Sequence, residues 1–347
     1  MQAVLIGVGM VARTHVDAVA ATDGKVTLRG VMAAHADRAE AFAETVASAS
    51  GQKPKIYNDI AEVAADPAVD LVLLCTPPNA RMEIVRALAE AGKPMLMEKP
   101  IERDSAAAEE IVTLCEANGV PLGVVFQHRM REASQHAAAV LAEGALGPLA
   151  AVEVTVPWWR PQSYYDEPGR GTYARDGGGV LISQAIHTLD LMLSLTGPVR
   201  SVQAMARTTA LHRMEAEDFV TAGLEFANGA VGSFVASTAS YPGGPESIVL
   251  HGQSGSLRLE SGTCTLDFHD GRHETLGAQA TGTGGGADPM AFTHEWHQGV
   301  IEDFADAVAE GRAPLVSGRE ALRVHRLIDA LVESSRERRA VILKDAE

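Results

Sequence analysis

The sequence predicts two domains, an α/β domain built on a parallel sheet and an α+β domain with a large, mostly antiparallel sheet. The chain has 347 residues, which is more than one compact core usually holds. In residues 1–122 short apolar runs alternate with helical patterns, whereas in residues 123–347 strand-like runs follow one another across turn dipeptides. We therefore place the domain boundary near residue 122.

The apolar runs of the first domain predict buried parallel strands, because none of them alternates polar with apolar residues. Helical patterns separate these runs. One covers residues 82–91 and stops at Gly92, and another covers residues 105–117 and stops at Asn118-Gly119. The predicted strands are residues 4–6, 28–32, 71–75, 95–97 and 122–126.

Hairpin signals dominate the second domain. Asn228-Gly229 separates the strand-like segments 218–226 and 229–236, and this dipeptide is typical of a two-residue turn. Further strands are expected at 248–252, 256–260 and 263–269. Glycines at 282, 284, 285 and 286 predict a flexible loop, which is followed by a helix over 296–310 and by a last helix capped by Ser317 with Glu320.

Composition excludes several classes of protein. The formal net charge of -16 argues against a nucleic-acid partner, and no stretch approaches the roughly 20 apolar residues of a membrane span. Cys75, Cys115 and Cys264 are an odd number without the spacing of a disulfide framework or a zinc site. The first residues enter a strand pattern directly, without the features of a signal peptide. We therefore expect a cytoplasmic protein.

The segment from Gly7 to Ala12, Gly-Val-Gly-Met-Val-Ala, indicates a dinucleotide site. Gly7 permits a tight turn, Gly9 lets the backbone approach a pyrophosphate, and Ala12 allows close helix–strand packing. A glycine turn of this kind also occurs in α/β domains without a nucleotide. Its position between the first strand and the first helix favours NAD(P) and a Rossmann fold.

The end of the second predicted strand bears on the choice between NAD and NADP. An NAD site usually places a carboxylate there, but the sequence has Ala33 and no acidic residue before Asp37. His35 and Arg38 could instead meet a 2′-phosphate, so the sequence leans slightly towards NADP. The competing interpretation makes Arg38 an ordinary solvated helix residue.

Three motifs carry most of the functional information. Two of them follow predicted strands, at the edge where α/β sheets bind ligands, and the third lies in the second predicted domain. Thr-Pro-Pro-Asn at 76–79 and Glu-Lys-Pro at 98–100 follow predicted strands, and the glycine triplet 177–179 precedes His187 and Asp190. Together they resemble the Gfo/Idh/MocA family, which includes glucose–fructose oxidoreductase, inositol dehydrogenase and the rhizopine-catabolism dehydrogenases. The resemblance covers nearly the whole chain. It implies a Rossmann domain and a second α+β domain that binds substrate and forms oligomers.

The resemblance implies that Lys99 and His187 lie beside nicotinamide C4 and the reacting carbon. A histidine suits the proton transfer that accompanies hydride removal from an alcohol, and an ammonium group stabilises developing negative charge on the oxygen. We expect His187 to be the general acid/base and Lys99 the electrostatic and positioning group. The residues assigned to the cofactor are Gly7, Gly9, Met10, Val11, Ala33, Arg38, Thr76, Pro77, Asn79, Glu98, Lys99 and Gln127.

Two positions depart from the usual pattern of the family. Ser183 stands where many members have an aspartate, four residues before the histidine. A hydroxyl cannot take up a proton as a carboxylate can, which shifts the acid/base role to His187. Arg81 replaces the usual histidine after the Pro-Pro segment. It is either a positive group near the ligand or, more simply, a solvent-facing helix residue.

An aromatic and basic stretch before the glycine triplet indicates a substrate surface. Aromatic residues are 5% of the chain, yet four of them lie within residues 158–165. Aromatic faces pack on sugar rings, and arginine meets carboxylate or phosphate. The alternative is a core or subunit contact. The candidate substrate residues are Trp158, Arg160, Tyr164, Tyr165, Arg170, Thr172, Ser183 and Gln184.

These patterns predict an NAD(P)-dependent dehydrogenase or reductase acting on a ring C–OH of a sugar, sugar acid, nucleotide sugar or cyclitol. The stretch resembles the branch that acts on nucleotide-linked sugars. Alternatives are a dihydrodiol-type dehydrogenase or a non-catalytic NAD(P)-dependent regulatory protein of the same fold. We expect a homodimer or homotetramer. His294 and His297 have metal-ligand spacing, but a helix start explains them, and we predict no metal site.

Overall fold

The computed structural model describes residues 1–277 and 293–343. Within these residues the chain forms two compact units. The first comprises residues 1–102, 106–127 and 293–322, and the second comprises residues 103–105, 128–277 and 323–343. The candidate catalytic residue Lys99 belongs to the first unit, whereas His187 belongs to the second.

A six-stranded parallel sheet forms the centre of the first unit. Its strand order is 3-2-1-4-5-6, which is the order of a dinucleotide-binding Rossmann sheet. The runs that predicted this sheet are buried because helices cover both of its faces. Its strands are β1 Gln2–Ile6, β2 Thr27–Met32, β3 Lys55–Tyr57, β4 Leu71–Leu74, β5 Met95–Glu98 and β6 Leu122–Val125.

A nine-stranded sheet forms the second unit. Numbered along the chain, its strands lie in the order 14-13-12-11-7-10-9-8-15. Strand 7 is parallel to its neighbour, strand 10, and all other neighbouring strands are antiparallel. The strands are β7 Leu149–Pro157, β8 Val199–Arg207, β9 Phe219–Phe226, β10 Val231–Ser237, β11 Ser247–Gly252, β12 Gly255–Glu260, β13 Thr263–Phe268, β14 His273–Leu276 and β15 Val341–Ile342.

Glycines end several helices in the left-handed conformation that favours this residue. Gly92 has φ +70° and Gly119 has φ +64°, as the sequence predicted. The helices are α1 Ala12–Ala20, α2 Ala36–Ser50, α3 Ile60–Ala65, α4 Met82–Glu90, α5 Ser105–Ala117, α6 Glu132–Ala142, α7 Gln162–Tyr165, α8 Ile186–Thr196, α9 Glu295–Glu310 and α10 Gly318–Glu337.

The predicted fold class is confirmed. Every predicted strand of the first domain is present within one or two residues, and Asn228-Gly229 joins β9 to β10. Ser317 caps α10, because its Oγ accepts a hydrogen bond from the Glu320 N–H at 3.2 Å. Sequence analysis missed β3, which has only three residues. The predicted glycine loop at 282–286 lies outside the described residues.

One face of the nine-stranded sheet is closely packed. In β9 the side chains of Val220, Leu224 and Phe226 are buried, while Glu225 between them is exposed. This alternation places the apolar side chains on one face of the sheet, as expected for a strand with a single covered face.

In the described part of the chain, no helix has both the length and the apolar character needed to cross a bilayer.

Candidate active site

The turn after β1 has the geometry that a dinucleotide needs. Gly7 has φ +98°, and a Cβ there would lie 2.7 Å from the carbonyl carbon of Cys75, so only glycine fits. A Cβ on Gly9 would meet nothing within 4 Å, which leaves this turn open to a ligand. The first turn of α1 carries no acidic side chain, so its positive dipole end is compatible with a pyrophosphate. These residues therefore fit NAD(P).

The other predicted cofactor residues lie at the carboxyl ends of the strands. Met10 is exposed, Val11 precedes α1, and Thr76, Pro77 and Asn79 follow β4. Ala33 follows β2, and Arg38 is an exposed residue in the first turn of α2. Lys99 follows β5 and is half-buried, whereas Gln127 follows β6 and is buried. These positions agree with the edge at which open α/β sheets bind ligands.

Arg81 lies in the core of the first unit. Sequence analysis preferred a solvent-facing arginine, and this expectation is wrong because the side chain is only 1% exposed. Its guanidinium donates to the carbonyl oxygens of Thr76, Glu98, Pro100 and Ile101. Burial lowers the pKa of Arg81 to about 10. Arg81 therefore joins the segment that follows β4 to the segment that carries Lys99.

Glu98, next to Lys99, is buried between two histidines. Its Oε1 lies 2.8 Å from His15 Nε2 on α1 and 3.5 Å from His297 Nε2 on α9. The two imidazole rings meet edge to face at 5.1 Å. Glu98 therefore anchors the lysine-bearing segment in the interior of the first unit.

The protonation of this cluster follows from its surroundings. Burial opposes the charged forms of all three groups. For Glu98 the two histidines outweigh burial and hold the pKa well below its usual value. For His15 the nearby Cys75 and Glu98 outweigh burial and raise the pKa to about 10, whereas burial lowers the pKa of His297. The cluster thus contains a charged His15–Glu98 pair beside a neutral His297.

The same three residues are of types that can ligate a metal ion. Among the described residues, His15, Glu98 and His297 are the one group whose ligand-type atoms all lie within 4.8 Å of one another. Both imidazoles approach a single carboxylate oxygen, and a cationic Arg81 lies nearby. In the structure the carboxylate of Glu98 is satisfied by the two imidazoles, so the cluster is a hydrogen-bonded group that balances a buried charge.

In the second unit, His187 lies just after an irregular helical turn. Residues Leu181–Ala185 form a π-helical turn, which continues into α8. Such wide turns occur frequently at functional sites. The turn carries Ser183, which is half-buried, and Gln184, which is buried, while His187 in the first turn of α8 is 6% exposed. The structure thus brings three predicted site residues together on one short segment.

The last glycine of the triplet passes very close to the backbone of Glu217. A Cβ on Gly179 would lie 1.8 Å from the carbonyl oxygen of Glu217, so no larger residue fits. The Glu217 carboxylate accepts hydrogen bonds from the N–H groups of Gly179 and Leu181, and the Glu217 carbonyl accepts one from Val180. Glu217 thus caps the start of the segment that carries His187.

Asp190 has a structural contact that sequence analysis left open. Its carboxylate forms a two-pronged pair with Arg129, with distances of 2.7 and 2.6 Å between the donor nitrogens and the carboxylate oxygens. A buried pair of this geometry is strong and directional. It joins α8 to the segment that follows β6 and so fixes the direction of the helix that bears His187.

The aromatic and basic stretch divides into two groups. Trp158 and Tyr165 are buried, the Trp158 indole donates to Glu246 at 3.2 Å, and the Tyr165 hydroxyl lies 2.6 Å from Thr238 Oγ1. Burial raises the pKa of Tyr165. Thr172 Oγ1 donates to Gly169 O at 2.7 Å. These side chains satisfy their polar groups within the unit.

The second group surrounds the Tyr164 ring. The guanidinium carbons of Arg160 and Arg170 lie 5.9 and 5.1 Å from its centroid, and Gln184 Nε2 donates to its hydroxyl at 3.3 Å. Arg170 also lies 3.5 Å from a Glu167 carboxylate oxygen. The structure therefore collects Arg160, Tyr164, Arg170 and Gln184 into one polar cluster, which we call the Tyr164 cluster.

Sequence reasoning missed His15, His128 and Glu217, and it explained His297 only as part of a helix start, not as a partner of Glu98. His15 and Glu98 are 83 positions apart, and Glu217 and Gly179 are 38 apart. A buried charge needs partners, so Glu98 at the end of an apolar strand was a signal that basic groups must approach it. The identity of the basic groups that approach Glu98 depends on how the helices pack against the sheet.

Comparison with known proteins identifies the family. Residues 1–126 match the oxidoreductase family with an NAD-binding Rossmann fold, and residues 134–258 match the GFO/IDH/MocA C-terminal domain. The two matches cover the strands and helices that carry the glycine turn, Lys99 and His187.

The relatives include oxidoreductases of sugar-like compounds. The inositol 2-dehydrogenase of Rhizobium meliloti is 26% identical over 97% of both chains, and the 1,5-anhydro-D-fructose reductase of Ensifer adhaerens is 30% identical over 73% of this chain and 74% of the other. The WlbA dehydrogenase of Bordetella pertussis, solved with NADH and UDP-GlcNAcA, is 27% identical, with a TM-score of 0.82 over 99% of this chain and 98% of the other. The chain therefore belongs to the GFO/IDH/MocA family and is an NAD(P)-dependent oxidoreductase.

Proposed function

We propose that this enzyme interconverts a ring alcohol and the corresponding ketone of a sugar-like substrate. The observation that carries the proposal is the placement of His187, a nearly buried imidazole directly after a π-helical turn that also carries Ser183 and Gln184. The relatives named above act on a cyclitol and on an anhydro sugar, which supports the same substrate class. When bound, the nicotinamide accepts or supplies the hydride at C4.

His187 is the proposed general acid/base. In the oxidation direction the substrate hydroxyl loses its proton to the imidazole while hydride leaves the carbon, and in the reverse direction the imidazolium returns the proton to the forming hydroxyl. Ser183 has no carboxylate with which to share the proton, so we assign it a hydrogen bond to a substrate hydroxyl. The ammonium of Lys99 stabilises the negative charge that develops on the substrate oxygen.

The Tyr164 cluster is the proposed contact for the remainder of the substrate. Two guanidinium groups lie within 6 Å of one phenol ring, at 5.9 and 5.1 Å. Guanidinium groups favour carboxylate and phosphate over neutral hydroxyls. We therefore place a sugar acid, free or linked to a nucleotide, ahead of a neutral cyclitol as the substrate.

A substrate screen tests this order. Nicotinamide absorbance is followed with sugar acids, their parent sugars, cyclitols and nucleotide sugars, each with NAD and with NADP. We expect a uronic acid to give a higher kcat/KM than its parent sugar. Preference for a neutral cyclitol would contradict the anionic class. A protein that binds the dinucleotide but turns over none of these compounds would instead be a regulatory binding protein.

Two substitutions test the catalytic roles. We expect Lys99→Met and His187→Gln each to lower kcat by about 100-fold or more, because a charged or proton-transferring group is lost from the reacting oxygen. Cofactor affinity, measured by nicotinamide fluorescence, should change little. Lys25→Ala is the matched control, since Lys25 is an exposed lysine of the first unit paired with Asp306. Wild-type turnover in either variant would remove that residue from the mechanism.

We further propose that the enzyme is a homodimer or homotetramer that works in the cytoplasm. The outward face of the nine-stranded sheet supports self-association, because Met205 on β8 and Val231 on β10 are 49% and 56% exposed there. Cys75, Cys115 and Cys264 are free thiols, which suits a reducing compartment.

A further inference from the structure

A second histidine lies against the proposed acid/base. His128 belongs to the short 3-10 turn Gln127–Met130 that follows β6, and its ring is stacked on that of His187, with 4.9 Å between centroids and 28° between planes. Both side chains are buried, at 3% and 6% exposure. The motifs of the sequence assigned His128 no function.

The contact with Arg131 determines which nitrogen of His128 carries the proton. Arg131 Nη2 lies 2.7 Å from His128 Nε2. A guanidinium has only donors and keeps its charge, so His128 Nε2 must be the acceptor. The ring proton therefore lies on Nδ1 and the ring is neutral, because a second proton would set an N–H against an N–H.

Arg131 is itself held in place by a buried carboxylate. Its Nη1 lies 2.6 Å from Glu246 Oε1, and the Trp158 indole donates to Glu246 Oε2 at 3.2 Å. Arg131 and Glu246 are 7% and 5% exposed. The charge of the guanidinium is thus matched by Glu246, and the chain Trp158–Glu246–Arg131–His128 ends on the face of the His187 ring.

The other ionisable groups around His128 leave this assignment intact. His187 of α8 stacks on the His128 ring. His128 also lines a small cavity of about 20 Å³, to which Glu246 and Glu260 contribute from the segments that carry β11 and β12. Arg129, next to His128 in the chain, is paired with Asp190 of α8. The cations Arg131 and Arg129 therefore each have a carboxylate partner.

We propose that His128 is a positioning residue for His187: as a neutral ring whose Nε2 is held by Arg131, it fixes the plane of the His187 imidazole and favours its protonated state. This inference rests on His187 being the acid/base. A neutral aromatic face stabilises a cation stacked on it, whereas a second imidazolium would repel it. The Arg131–Glu246 pair prevents that second charge, so His187 can accept the substrate proton.

Four variants separate stacking from hydrogen bonding. His128→Phe keeps an aromatic ring that cannot be protonated, and His128→Ala removes the ring. The double variant Arg131→Met/Glu246→Gln removes the guanidinium that donates to His128 Nε2 and also removes its carboxylate partner, so no unpaired charge is left buried. The triple variant adds His128→Phe to this double variant. Arg272→Ala is the control, since Arg272 is an exposed arginine of the same unit. Each folded state is checked by circular dichroism and thermal melting.

We expect His128→Ala to lower kcat by about 10-fold or more while KM for the cofactor stays within about twofold, and His128→Phe to recover most of that loss. The Arg131→Met/Glu246→Gln variant should lose kcat selectively at acidic pH, because His128 can then be protonated. Adding His128→Phe should remove this acidic loss. An unchanged kcat in His128→Ala, or an acidic loss that persists in the triple variant, would overturn the proposal.

A direct measurement keeps the inference testable if the double variant fails to fold. In the holoenzyme labelled with ¹⁵N-histidine, the His128 signals, assigned with His128→Phe, should show an unprotonated Nε2 at neutral pH, and a protonated Nε2 would overturn the assignment. The acid/base role of His187 is tested separately, by measuring the turnover of His187→Gln. Full turnover in that variant would remove the acid/base role and leave the tautomer of His128 to be judged by the spectrum alone.

Discussion

At the residue scale, the carboxylate of Glu98 joins three segments of the first unit. It ends β5, and it meets His15 from α1 and His297 from α9. A buried charge is tolerated only when partners satisfy it, and removal of one partner is costly. Because Glu98 immediately precedes Lys99, the cluster also determines where the lysine leaves the interior.

The pH dependence of stability tests this cluster. The pKa of His15 is raised from 6.5 to about 10, so its stabilising effect is complete below pH 6.5 and is lost as pH rises through 10. We expect Glu98→Gln to lower the free energy of unfolding by about 3 kcal/mol at pH 7. The difference between wild type and variant should shrink towards pH 10. Denaturant unfolding at a series of pH values measures it, and a constant difference would contradict the charged pair.

Arg81 and Arg131 show how a buried guanidinium organises backbone and side chains. Arg81 donates to the carbonyl oxygens of Thr76, Glu98, Pro100 and Ile101, whereas Arg131 joins His128 to Glu246. The planar fork of arginine holds several acceptors in fixed directions, which lysine cannot do. Both arginines therefore act on the residues next to the proposed catalytic groups.

At the scale of elements, the segment from the glycine triplet to α8 is tightly constrained by its neighbours. Gly179, the last glycine of the triplet, passes Glu217 at a distance that excludes a Cβ, and Glu217 then caps the π-helical turn Leu181–Ala185. Helix α8 is buried on all sides from Ile186 to Leu193, which makes it a core helix. This packing leaves His187 little freedom to move.

A glycine substitution tests this constraint. We expect Gly179→Ala to lower the free energy of unfolding by more than about 3 kcal/mol, because its Cβ would overlap the Glu217 carbonyl oxygen at 1.8 Å. Gly223→Ala is the matched control, since its Cβ would meet nothing within 4 Å and alanine is favoured over glycine inside a strand. Denaturant unfolding and thermal melting of both variants measure the effect. A Gly179→Ala protein as stable as wild type would contradict the close approach.

At the scale of the whole molecule, the outward face of the nine-stranded sheet is the feature that bears on assembly. Met205 pairs with Thr221, which pairs in turn with Val235 of β10, and Val231 lies further along β10. Met205 and Val231 therefore lie on the same face of the sheet, on two strands separated by β9, and exposed apolar side chains on one face are typical of surfaces that self-associate. The monomer mass is 36.5 kDa, so a dimer and a tetramer are easily distinguished from it.

Sedimentation tests the proposed assembly. We expect wild type to sediment as a dimer or tetramer, and Met205→Glu with Val231→Glu to shift it towards the monomer because carboxylates without partners would be buried on association. Leu315→Glu is the control, an equally exposed apolar residue of the first unit. A wild-type protein that sediments only as a monomer would contradict the proposal.

The sequence by itself determined the elements and the approximate location of the chemistry. Apolar runs and flanking glycines located the parallel strands, and Asn228-Gly229 located a hairpin, because these signals act between neighbours in the chain. The glycine turn at Gly7 and the lysine after β5 followed from the same local patterns. The family assignment was confirmed for this reason, since its motifs are local.

Only the tertiary structure decided which side chains meet inside each unit. His15 approaches Glu98 across 83 positions, and Arg131 approaches Glu246 across 115. Arg81 points inwards, where it donates to the nearby Thr76 carbonyl and to three carbonyl oxygens of the distant segment at the end of β5, and the local sequence does not indicate those distant acceptors. Local patterns determine secondary structure, but the partners of a buried charge depend on how distant elements pack, and that information lies in the fold as a whole.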